Sequence, residues 1–82
     1  AEQRRRLKPL RDKVRNVEKS LASKRTRLAE LEMLLADTAL YTDPDRKDEL
    51  MRLLDDQRAV ISTIESLELE WLEASEILEE AS

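Results

Sequence analysis

Apolar residues recur along this chain in alternating steps of three and four. Leu7, Leu10, Val14, Val17, Leu21, Leu28, Leu31 and Leu35 fall on one stripe, with Lys24 as its polar intruder. A second stripe runs through Leu50, Leu53, Val60, Ile64, Leu67, Trp71, Ala74 and Leu78, with Gln57 as its polar intruder. A period near 3.5 residues, sustained for about four heptads, is the narrow seam of a coiled coil. Between the stripes, Pro44 cannot sit inside a helix without losing a backbone bond, but it suits a first helical position. Asp43 is then the N-cap, and Asp45, Asp48 and Glu49 suit the positive end of the new helix. The spacing predicts a helix over about 7–37, a turn over 38–43 and a helix over about 44–80. A turn this short returns the second helix beside the first, so the fold class expected is all-α, a two-helix antiparallel coiled-coil hairpin.

The two polar intruders suggest a register. If facing residues have numbers that sum to 81, Lys24 meets Gln57 in one layer. Leu10 then faces Trp71, Val17 faces Ile64 and Leu31 faces Leu50, while Arg11 nears Glu68, Lys13 nears Glu70 and Arg27 nears Asp56. A slip of one heptad would set Lys24 against Ile64. Charge agrees with intramolecular pairing. Residues 1–36 carry 11 basic and 5 acidic side chains, net +6, and residues 37–82 carry 4 and 14, net −10, together the overall −4. Each helix therefore attracts the other and resists its own copy, which predicts a monomer.

Composition narrows the chemistry. The 82 residues include no Gly, His or Cys, 41% are charged and 2% aromatic. Such a balance belongs to long helices. Without His or Cys there is no usual zinc site, no His-based triad and no disulfide. Without Gly there is no phosphate-cradling loop. No apolar run is long enough to cross a membrane, and no signal segment opens the chain, so a cytoplasmic location is expected. The chain starts at Ala1 rather than at a methionine, which suggests a piece of a longer protein.

Four exposed cations form the candidate site. Arg5, Lys8, Arg15 and Lys19 lie on the outward face of the first helix, where a phosphate backbone could be met. The competing reading is an ordinary solvated surface, since Asp12 interrupts the strip. No aromatic lies among these residues, so contact would be to phosphate rather than to stacked bases. The acids around the turn lack the glycine and spacing of a calcium loop, and capping accounts for them. Trp71 is expected in the core. Leu40 and Tyr41 are expected to fold back over Leu35, with Tyr41 a candidate contact at the tip. Lys24 and Gln57 either form a buried polar layer, or Lys24 extends past the seam to water.

Several segments together resemble the C-terminal domain of ABC-F ATPases. They are Leu7-Lys8-Pro9-Leu10, Leu35-Ala36-Asp37-Thr38-Ala39-Leu40-Tyr41, Asp43-Pro44 and Trp71-Leu72-Glu73. The resemblance spans nearly the whole chain, and the Leu40-Tyr41 loop with its Asp-Pro start is the most specific part. It implies a parent with two ATP-binding cassettes, residues 1–6 as the end of a basic linker, and residues 7–82 as the hairpin. It further implies contact with RNA or DNA at the ribosome, in a translation-related role. ATP and magnesium would belong to the parent. The chain itself, with no nucleotide motif, is expected to hold no cofactor and no catalytic residue. The alternative expectation is a spacer or protein-interaction hairpin, docking on the cassettes or a ribosomal protein through the acidic helix or the tip.

Overall fold

A computed structural model describes the backbone of residues 2–81 and the side chains of residues 5–81. The chain is all-α and elongated, 63 × 14 × 14 Å. Its elements are α1 (Glu2–Leu35), α2 (Ala39–Thr42), a 3-10 turn (Pro44–Arg46) and α3 (Lys47–Ala81). Among the described residues there is no strand and no positive φ, as expected of a chain without glycine.

These boundaries differ from the sequence expectation in informative ways. Helix α1 begins at Glu2 and continues past Pro9, so residues 2–6, expected to end a linker, are helical. Ala1 lies outside the described residues, as do the side chains of residues 2–4. The favourable helix formers on both sides of Pro9 carry the helix across the lost backbone bond. At its other end α1 stops at Leu35, where Asp37 N donates to Leu34 O at 3.3 Å in a tightened last turn.

The expected turn over 38–43 is instead mostly the helix α2, so three α-helices replace the simple pair. Asp37 Oδ1 accepts from Ala39 N at 3.0 Å and starts α2. Asp43, at φ −89° and ψ 111°, ends it in the extended form that a residue before proline prefers. Its carboxylate accepts from Asp45 N at 2.9 Å, which caps the 3-10 turn as its position predicts.

The stripes read from the sequence do form the contact between α1 and α3. Val17, Leu21, Leu31, Leu35, Ile64 and Ala74 are buried, and Leu40 of α2 joins them at 1% exposure. The other seam residues are half-buried, except Trp71, which keeps 38% of its surface exposed. A seam between two helices has open sides, and an indole is too large to be enclosed there.

The two long helices run in opposite directions, but their register is staggered by one heptad from the pairing that aligned Lys24 with Gln57. In that pairing Arg25 lies opposite Asp56, twelve residues and about 18 Å along the axis from Glu68. Yet Arg25 Nη2 stands 3.7 Å from Glu68 Oε1. Arg27 Nη2 reaches Asp56 Oδ2, 3.8 Å away, so this expected flank pair does form. Trp71 Nε1 donates to Glu18 Oε1 at 3.0 Å, and Leu28 packs against the Val17–Leu21–Ile64 cluster. One stagger satisfies all four, placing Leu21 opposite Leu67, Leu28 opposite Val60 and Val14 opposite Ala74.

Helices of 34 and 35 residues are each about 52 Å long, and with the connection between them they span 63 Å. The stagger pushes the start of α3 beyond Leu35, and α2 folds onto it with Leu40 as its buried anchor. It also separates the polar intruders. Lys24 is exposed and Gln57 half-buried, so no shared polar layer forms and Lys24 extends into solvent.

Candidate nucleic-acid interface

Arg5, Lys8, Arg15 and Lys19 are all exposed on α1. Their spacing of three, seven and four residues keeps them on one helical face. Arg5, Lys8 and Arg15 line a single shallow groove together with Arg11 and Asp12. Lys19 lies one turn further on and does not line it. Asp12 is half-buried in the floor of the strip, where it offsets one of the four cations.

Arg11 is the residue the sequence reading missed. The flush register assigned it to Glu68, but the stagger gives Glu68 to Arg25 and leaves Arg11 beside Lys8 and Arg15. Among the described residues, the ion pairs that bridge α1 and α3 are Arg25–Glu68 and Arg27–Asp56. Lys13, expected near Glu70, is not in an ion pair among these residues. Among the described residues, no ion pair ties Arg5, Lys8, Arg11, Arg15 or Lys19 to the acidic helix beside them. From Arg5 to Lys19 it spans about 21 Å of helix axis. Over that length one strand of a duplex presents about six phosphates, at 3.4 Å per charge.

The tip is organised differently. Tyr41 Oη donates to Leu35 O at 2.7 Å, although the residue is 56% exposed. Leu40 and Tyr41 thus close over the end of α1 as the sequence suggested. The Tyr41 hydroxyl, a candidate contact for a partner, is committed to the protein's own backbone.

Arg46 was not foreseen as part of the tip. Its Nη1 donates to Asp37 Oδ2 at 3.0 Å, and its Nε and Nη2 donate to the two oxygens of Glu49 at 3.0 and 3.3 Å. The hydrogen bonds from Arg46 hold both carboxyls below the usual carboxylate range, with the Ala39 amide adding to the effect at Asp37. The same bonds raise the guanidinium further above its already high value. A signal for half of this was present in the sequence, since Arg46 and Glu49 stand three apart. The link to Asp37 depends on how α2 folds. Among the described residues no group of acids is arranged to hold a metal ion, and no helix is long and apolar enough to cross a membrane.

Set against known proteins, the chain matches no family model, no curated protein and no solved structure.

Proposed function

We propose that this chain is an antiparallel coiled-coil hairpin that serves as a non-catalytic arm of an ABC-F-type ATPase, and that it binds the phosphate backbone of RNA or DNA through α1. The observation that carries the binding role is the convergence of Arg5, Lys8, Arg11 and Arg15 on one groove with no ion-pair partner among the described residues. The link to an ABC-F parent rests on the resemblance of the Leu35–Tyr41 segment and the Asp43-Pro44 start. In that setting the cytoplasmic ribosome supplies the nucleic acid, ATP and magnesium act in the parent's cassettes, and the arm works as a monomer.

The binding would be electrostatic and indifferent to sequence. Cations on a smooth helix face meet phosphates and bring no aromatic ring among them for base stacking. Neutralising four or five phosphates on B-DNA gives a slope of about −4 for log affinity against log salt.

The test is a fluorescence-anisotropy titration against a structured RNA and a DNA duplex at two salt concentrations. Wild-type protein is expected to bind saturably and to weaken steeply as salt rises. The variant R5E/K8E/R15E/K19E, altered only at exposed positions, should keep its helical circular dichroism and lose binding. Adding R11E should weaken binding further. Unchanged affinity in the fourfold variant would refute the interface. Of the two surfaces that an alternative protein-docking role would use, the tip is the less suited, because Leu40 is buried and the Tyr41 hydroxyl is taken.

A further inference from the structure

A second surface shares no lining residue with the basic groove. A cleft lies between the middle of α1 and the later half of α3, walled by Leu69, Trp71 and Leu72 over Leu21 and edged by Glu18, Glu65 and Glu68. The three apolar walls are 57%, 38% and 48% exposed. They are contiguous, unlike the single exposed side chains that any small protein carries.

The rim is acidic. Its one cation, Arg25, is paired with Glu68 at 3.7 Å. Beyond it α3 carries Glu70, Glu73, Glu76, Glu79 and Glu80, and no basic residue follows Arg58. Trp71 is held in place by its indole N–H bond to Glu18, so a large flat apolar surface is already fixed in position. Fixed aromatic anchors of this sort dominate binding energy at interfaces.

We infer that this cleft seats a cationic amphipathic helix from another protein, which packs apolar side chains on Leu69, Trp71 and Leu72 and sets its Lys or Arg residues against Glu18, Glu65 and Glu68. Charge complementarity selects this occupant. Nucleic acid and anionic lipid headgroups are repelled by the glutamate rim. A second copy fits poorly, because the basic face of α1 is built of Arg5, Lys8, Arg11, Asp12 and Arg15 and offers no apolar ridge. A helix lying in the cleft would turn an open two-helix seam into a three-helix core, the helix-in-groove mode of recognition.

The chain supplies its own reporter, since Trp71 is its single tryptophan. The probe is a synthetic amphipathic helix of Leu and Lys, compared with oligolysine of equal charge and with a Leu/Glu helix of the same pattern. The Leu/Lys helix is expected to shift Trp71 emission to the blue and to saturate, while oligolysine and the Leu/Glu helix leave it unchanged. L69D/L72D and, separately, E65K/E68K should each weaken binding about tenfold or more. All four positions are exposed, and circular dichroism on each variant verifies the fold.

Three results would overturn the inference. They are no saturable shift with the Leu/Lys helix, an equal shift with oligolysine, or undiminished binding by both variants. A concentration-dependent blue shift of the chain alone would assign the cleft to a second copy and overturn it equally.

Discussion

The Tyr41 hydroxyl meets the Leu35 carbonyl at the end of α1, where carbonyls have no partner further along their own helix. One side-chain bond thus ties α2 to the helix it follows. Tyr41→Phe removes the donor and keeps the ring, so it should cost about 0.5–1 kcal/mol and lower Tm by about 3–6 °C in a chain of this size. A thermal melt followed by circular dichroism checks it. Arg46 bridges Asp37 and Glu49 close by. Both carboxyls sit lower in the folded protein than in the unfolded chain, so their contribution is complete above their ordinary values near pH 4. It is lost as pH falls through the lowered folded values. The amides of Ala39 and Leu40, followed by NMR, should therefore loosen on acidification below about pH 4. In Arg46→Ala that acid dependence should largely vanish and the tip should already be loose at neutral pH.

At the scale of elements, Pro9 is the strongest local conflict in the chain. It lies inside α1 and is exposed, so the helix sacrifices a backbone bond there without burying the ring. Pro9→Ala should stabilise α1 by about 1–3 kcal/mol, the upper figure being that of a mid-helix proline and the lower allowing for a site near the helix end. The gain should appear as more helical signal at 222 nm and a higher Tm. The connection between the long helices was the element least legible in the sequence. Asp43 and Pro44 announced the start of a helix correctly. Nothing local required Ala39–Thr42 to form a turn of helix of its own. That depends on Leu40 finding the start of α3 to pack against.

For the whole molecule the decisive quantity is register. Two heptad stripes fix which faces meet, but adjacent registers a heptad apart bring the same faces together. The layer pairing Lys24 with Gln57 argued for a flush arrangement, and the connection argued against it. A disulfide distinguishes the two arrangements, because bridging requires Cα atoms within about 7 Å. Val14→Cys with Ala74→Cys should cross-link readily under mild oxidation. Leu7→Cys with Ala74→Cys, the pair of the flush register, should not. The functional surfaces follow from this choice. In the flush register Arg11 would be spent on Glu68. In the staggered one Arg25 takes Glu68, and the basic groove gains Arg11.

The helical class, the two apolar stripes, the Asp43 cap and the outward cations were all legible along the chain. Each of these rests on local spacing or on a single residue's backbone preference. The stagger, the α2 fold-back, the Arg46 bridge and the cleft beside Trp71 came from packing between the helices. Those depend on how far one helix slides along the other, which a repeating pattern leaves open.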